Sequence, residues 1–435
     1  MQPISTENIE RHIDVLTRDI GIRLAGSAAE HQAAEYIADQ MRESGAQVHT
    51  EEVRMRERAV QEECLQICIN GTWQTVNCSL LSNALGTDGN TCEAPLVYFA
   101  SETDYQREDL SFLTDKAVVH LGSHIETADY YRRLLEAKPA FVMFVDVRYP
   151  GTVATSDGMF PSYVHAYGAL PIVSVAFLEA WSWRENNATA ARLRVTGGMR
   201  PGTSPNVIAE LPGTDPEAGT LYVGGHHDTQ ADSVGADDNA VGVAAVLELT
   251  RSLHAVPRKR TIRLISFGAE EQLSVGSAAY VRQHRQDLHE HGRFMLNFDA
   301  CGSLLGWTEL YCCGPHAMGN YLNQCFIAQD EYIKIKHEVI PYADHFPFAA
   351  AGVTSAWLTR ANCSAGRFFH HRPDDNASRL SLPVLATMFT ICRQCLTQLA
   401  TAYALPFPTE IPKAVQTEID RQWQELFGGW RGFDQ

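Results

Sequence analysis

From Asn206 onward the chain follows a pattern that few folds satisfy: short apolar runs alternate with helical segments. Residues 207–211, 221–225, 262–267, 294–298 and 354–358 read as strands, and 239–254, 276–284 and 382–403 read as helices. The first of these helices is apolar nearly all round, so it must be buried. Strands separated by such helices imply an α/β architecture, a largely parallel sheet covered on both faces.

The rest of the chain has a different grammar. Helices are expected over 5–20, with Ser5 or Thr6 as cap, and over 28–44, where Gly45 suits the terminating position. A strand follows at 47–53. From about residue 56, β-rich runs at 64–69, 96–99, 117–121, 140–145 and 172–177 lie between Gly, Pro, Asp and Ser clusters, with one helix at 126–137. This predicts a mostly β domain at 56–203, inserted between a first part of the main domain at 1–55 and its larger part at 204–405. Residues 148–170, rich in Gly, Pro and aromatics, read as a long mobile loop. The tail, 406–435, is polar and then aromatic (Trp423, Phe427, Trp430, Phe433), which suits packing on the body or self-association into a homo-oligomer.

A formal net charge of −17 argues against nucleic acid and anionic membrane as partners. The opening residues lack a basic segment followed by an apolar core, and no apolar stretch is long enough to span a bilayer. The expectation is a cytoplasmic protein with its 11 cysteines reduced. Cys392 and Cys395 form a C-x-x-C, but within the apolar period of a helix, and are read as core packing.

Ionisable groups gather where strands end, the place such sheets put their sites. His226 and Asp228 follow the run 221–225, Glu270 and Glu271 follow 262–267, and Asp299 follows 294–298. His371 lies beyond the last strand, and Asp237 and Asp238 precede the buried helix. Singly, each has an ordinary explanation: a helix cap, a solvated pair, a surface histidine. Together they bring imidazole and carboxylate from five segments, a donor set without cysteine that suits zinc.

These motifs resemble metallopeptidase family 28, the co-catalytic zinc exopeptidases. The matching stretches are His226-His227-Asp228, Gly235-Ala236-Asp237-Asp238-Asn239-Ala240-Val241-Gly242, Glu270-Glu271 with Gly276-Ser277, Asn297-Phe298-Asp299 and His370-His371-Arg372-Pro373-Asp374-Asp375. The opening Arg23-Leu24-Ala25-Gly26-Ser27 is similar to the family's N-terminus, and the β-rich stretch to its inserted protease-associated domain. The resemblance implies a three-layer α/β/α zinc-exopeptidase fold of the phosphorylase/hydrolase-like kind. It implies two zinc ions per chain. Asp238 bridges them through a residue whose peptide to Asn239 is cis, His226 and Asp299 complete one, and Glu271 and His371 complete the other. Asp228 holds the His226 ring, Asp375 serves His371 similarly, and Glu270 is the general base of a two-metal-activated water. Two adjacent glutamates on an extended chain cannot point the same way, so one binds metal and one faces the water.

The chain departs from the family pattern at two places. Val241 stands where Ser is usual, and His370 stands where many relatives carry an oxyanion-stabilising Tyr. His370 is expected to take over that catalytic role, since an imidazole N–H can donate to an oxyanion. The segment 342–348 is expected to form substrate-pocket wall, with His345 as a reserve ligand. The activity implied is an aminopeptidase acting on peptides. The alternatives are a carboxypeptidase or dipeptidase, for which Arg360, Arg367 and Arg372 would supply carboxylate forks, a glutaminyl cyclase with one zinc, or a non-catalytic binding module.

Overall fold

The structure, a computed structural model, describes residues 2–122, 125–147, 151–361 and 369–433. The chain divides into two compact units. One comprises the residues up to Met55 and those from Gly202 onward; the other runs from Arg56 to Pro201.

The first unit opens with helices α1 (Thr6–Asp14) and α2 (Ala28–Glu43). Ser5 caps α1 by accepting the amide of Asn8, and Ser27 caps α2 by accepting that of Glu30. Strand β1 (Gln47–Ile69) leads into the second unit. That unit holds β2 (Thr72–Val76), β3 (Ser79–Leu80), β4 (Cys92–Ala100), β5 (Ala117–Leu121), β6 (Phe141–Val145) and β7 (Ile172–Ser174). Its helices are α3 (Ser101–Asp104), α4 (Ala128–Glu136), α5 (Pro161–Tyr167) and α6 (Phe177–Glu185). Strands β4 to β7 run parallel in that order, and β6 is buried along its whole length. Helix α5 lies inside the stretch expected to be a loop. Pro161, in its first turn, was the available start signal. Residues 148–150 of that stretch are outside the described residues.

Strand β8 (Ala190–Leu211) returns the chain to the first unit. There follow β9 (Thr220–His226), α7 (Val241–Leu253), β10 (Thr261–Phe267), α8 (Val275–Gln283), α9 (Arg285–His291), β11 (Gly292–Phe298) and β12 (Trp307–Cys313). Helix α10 (His316–Ile327), β13 (Lys334–Lys336), α11 (His345–Ala350), β14 (Ser355–Ala361), α12 (Leu382–Thr401) and α13 (Lys413–Phe427) complete it. The strand order is β13–β12–β14–β11–β9–β10–β8. The four central strands β14, β11, β9 and β10 are parallel, while β8 and β12 pair antiparallel with β10 and β14.

Alternation along β9 sorts its side chains between two helical layers. Leu221 and Val223 enter the core shared with α1, α2, α7 and α12. Tyr222 points the other way, its ring 5.1 Å from that of Phe348 in α11. Every residue of α7 except Arg251 is buried. Its start sits tight against the sheet because Gly225 and Gly242 have no side chains: a Cβ on Gly242 would stand 2.4 Å from the Phe298 carbonyl oxygen. Cys392 and Cys395 are buried in the same core, as expected for packing residues. Among the described residues no helix is long and apolar enough to cross a membrane.

Candidate metal centre

Parallel register brings the ends of three strands level: His226 pairs with Phe267, and β11 runs beside them to Phe298. The residues that follow those ends therefore converge. Ahead of α7, Ala236–Ala240 form an irregular turn in which Asp238 has φ −122° and ψ 85°. The helix thus begins at Val241 rather than at 239. The Asp238–Asn239 peptide is cis, as the resemblance implies.

Asp238 stands between two clusters. On one side, His226 Nε2 is 3.0 Å from Asp238 Oδ1, 3.8 Å from Asp299 Oδ1 and 3.9 Å from Glu270 Oε2. On the other, Asp238 Oδ2 is 2.9 Å from His370 Nδ1 and 3.4 Å from His371 Nε2, and His371 Nε2 is 2.9 Å from Glu271 Oε2. The two histidine rings stack at 3.6 Å between centroids. The His226 side chain is fully buried, whereas that of His370 is 31% exposed.

A rigid frame aims these groups. Asp228 accepts the amides of Glu270 and Glu271 at 3.0 and 3.1 Å, and His226 Nδ1 lies 3.2 Å from its backbone carbonyl and 3.4 Å from its Oδ1. The same residue therefore orients an imidazole and pins the glutamate pair. That pair sits on a tight turn, not on an extended chain. Ala269, Leu273 and Ser274 around it all have positive φ (49°, 70° and 48°), a conformation disfavoured for non-glycine residues. The turn makes the side chains diverge: Glu271 meets His371, while Glu270 Oε1 accepts the Ser274 hydroxyl at 2.8 Å. The Asp375 carboxylate accepts the amides of Asp237 and Asp238. It thus holds the turn that carries Asp238 instead of the His371 ring. Asp237 Oδ1 accepts the Gly302 amide at 2.7 Å, and His227 Nδ1 lies 3.0 Å from the Ser266 hydroxyl; both residues face away from the two clusters.

Beneath the site the fully buried Arg23 guanidinium donates to the carbonyls of Leu16, Gly21, His227, Val234 and Gly235. Sequence reasoning treated Arg23 only as part of a terminal motif and did not register Ser274. A serine four residues after a glutamate is too common to signal anything alone. His345 is buried, its ring 5.9 Å from that of Trp357, and among the described residues it belongs to neither metal-type group. Arg360 Nε donates to the Ser303 carbonyl, and Arg367 lies outside the described residues.

The electrostatics call for a cation. Burial pushes the carboxyls of Glu270 and Asp237 well above their usual range, raises Asp299, and moves Glu271 and Asp344 to about 7 and Asp375 to about 6. His226, although burial opposes its charged form, is held well above its ordinary value by Asp228, Asp238 and Asp299. A bare site would thus gather protons. His226 Nε2 also lacks hydrogen-bond alignment to any neighbour despite its 3.0 Å approach to Asp238. Neighbouring ligands of a tetrahedral ion with bonds of about 2.0–2.1 Å are about 3.3 Å apart, so this contact matches two atoms facing one ion. Three of the groups, His226, Asp238 and Asp299, offer donor atoms mutually within 4.8 Å, and Asp238, His370 and His371 do the same on the other side. The residues fit a metal pair.

Residues 206–396 match the sequence model of peptidase family M28. This segment belongs to peptidase family M28. The aminopeptidase YwaD of Bacillus subtilis is 25% identical over 392 residues, which cover 87% of this chain and 81% of that protein. Among solved structures, the zinc aminopeptidase BSAP of Bacillus subtilis superposes with a TM-score of 0.78 at 22% identity, covering 95% of this chain and 99% of that one. An M28 peptidase precursor from Shewanella amazonensis superposes at 0.79 and 21% identity, covering 94% and 96%. These superpositions carry the fold of the M28 segment beyond its ends, to nearly the whole chain.

Proposed function

We propose that the chain is a zinc-dependent aminopeptidase. The observation that carries this reading is the carboxylate of Asp238, one oxygen at the His226 cluster and the other at the His371 cluster, in a chain similar to proteins named an aminopeptidase and a zinc aminopeptidase. His226, Asp299 and Asp238 would hold one zinc; Asp238, Glu271 and His371 would hold the other. When bound, such a pair polarises a peptide carbonyl and acidifies water.

The chain's own residues supply the rest. Ser274 occupies Oε1 of Glu270, which leaves Oε2 to work at the cleft. There Glu270 takes a proton from the water that attacks the peptide carbonyl and returns it to the leaving amine. His370, partly exposed beside Asp238, is the donor to the oxyanion.

The charge of the site favours an amine terminus over a carboxylate. Eight acidic side chains (Asp228, Asp237, Asp238, Glu270, Glu271, Asp299, Asp344 and Asp375) outnumber the buried Arg23 and Arg372 together with the four charges of two bound zinc ions. Such a surplus attracts a protonated α-amine and repels a C-terminal carboxylate. Zinc-loaded protein should hydrolyse amino-acid anilides and leave N-blocked peptides with free C-termini intact; the reverse pattern would overturn the reading.

Residues 56–203 are read as the inserted protease-associated domain, supported by strands β4 to β7 with their helices between β1 and β8. The described cysteines, all free, support a reducing, cytoplasmic setting.

A further inference from the structure

Two elements flank Glu270, and helix α13 grips both. The first is α8, which begins one residue after Ser274, the donor to Glu270 Oε1. Arg282 of α8 donates to the carbonyls of Phe427 and Gly429 at 2.7 and 3.1 Å. These are carbonyls at the end of α13, where no further helical turn is left to satisfy them. The Arg282 guanidinium also lies 4.8 Å from the centre of the Trp423 ring.

The second element is α11. All six of its residues are buried, and each aromatic side chain has a distinct neighbour. Phe348 meets Tyr222, Phe267 and Tyr280. His345 meets Trp357, whose indole N–H donates to the Asp299 carbonyl at 3.0 Å. Phe346 stacks on Phe427 of α13, with centroids 5.2 Å apart and planes 29° from parallel. Asp344, just ahead of α11, is fully buried and close enough for its charge to act on Glu270. The short helix therefore has α13 on one side and the reacting groups on the other. A six-residue helix cannot hold its own position, because helices this short depend on tertiary packing.

We propose that Phe427 is a positioning residue: through its stack on Phe346, and with Arg282 closing the second grip, α13 fixes the walls that aim Glu270. This rests on the reading of Glu270 as the general base. Helix α13 lies beyond residues 206–396, the segment that matches the M28 family model.

The test compares Phe427→Ala, Phe427→Leu and Arg282→Met with the control Phe407→Ala. Phe407 is equally buried and lies in the same tail, but its ring meets Phe294 and Tyr321 instead of α11. Each zinc-loaded variant is measured well below its Tm for kcat, KM, zinc content and hydrogen exchange over 270–277 and 342–350. Phe427→Ala and Arg282→Met are expected to keep zinc and KM, lose about tenfold or more in kcat, and exchange faster in both segments. Phe427→Leu should recover most of the rate. Phe407→Ala should lower Tm while kcat and exchange in those segments stay as in wild type. Wild-type kcat and exchange in both Phe427→Ala and Arg282→Met would overturn the proposal, as would an equal loss of kcat in Phe407→Ala. If wild-type protein hydrolyses nothing, the aminopeptidase reading fails, and exchange over 270–277 still decides whether α13 braces the Glu270 turn.

Discussion

Asp375 holds Asp238 by its backbone. Its carboxylate oxygens accept the consecutive amides of Asp237 and Asp238 at 2.8 and 3.1 Å, so the turn carrying the shared carboxylate is set by a residue 137 positions away. An asparagine can accept only one of those amides and presents an NH2 to the other. Asp375→Asn is expected to weaken zinc binding about 10–100-fold, the usual effect of losing a group that orients a ligand. Competition with a chromophoric chelator measures this, and wild-type affinity would contradict it.

Adjacent glutamates separate the two roles of the site. Glu270→Gln should retain the metals and lose about 10²–10⁴ in kcat, the range of a general base. Glu271→Gln should lose metal from the His371 side. Zinc content and single-turnover rates on the two variants give the split; equal zinc loss in both would refute the assignment.

The stacked histidines also divide. His371→Ala is expected to release a metal, because its Nε2 faces both Glu271 and Asp238. His370→Ala is expected to keep both metals and lower kcat about 10²–10³-fold, as for an oxyanion donor. Unchanged kcat in His370→Ala would reduce that residue to a packing neighbour of His371.

How much of this was legible depended on whether the chemistry sat in a contiguous motif. His226, Asp228, Asp238, Glu270, Glu271 and Asp299 each follow an apolar strand or precede an apolar helix, so periodicity pointed to them. Arg23 and Ser274 act on the backbone or side chain of another segment, and nothing local marks such roles. Helix α10 was overlooked although Met318, Leu322 and Phe326 repeat every four residues and are buried. The polar residues between them and Gly319 blurred the pattern. Helix α13 was read as an aromatic tail because Ile419, Trp423 and Phe427 share a face only once a helix is assumed.

The second unit supplies a pH test independent of metal. His120 is fully buried between the rings of Phe99 and Phe144, at 5.4 and 5.0 Å, and burial lowers its pKa to about 4. Below its ordinary value of 6.5 the unfolded chain takes up a proton that the folded one refuses until about pH 4. Stability from this residue is therefore level above pH 6.5 and falls by at most about 3 kcal/mol as pH drops to 4. His120→Phe should flatten that decline in denaturant titrations at pH 7 and 4.5. An unchanged slope would contradict the burial argument.

The central claim is that Asp238 joins two metal sites. Calorimetric titration of metal-free protein with zinc, wild type beside Asp238→Ala, tests it most directly. Wild type is expected to take up about two equivalents per chain, with peptide hydrolysis appearing as they bind, and Asp238→Ala to lose tight binding at both sites. A wild-type chain that takes up no zinc, or an Asp238→Ala variant that binds two ions as tightly as wild type, would contradict it.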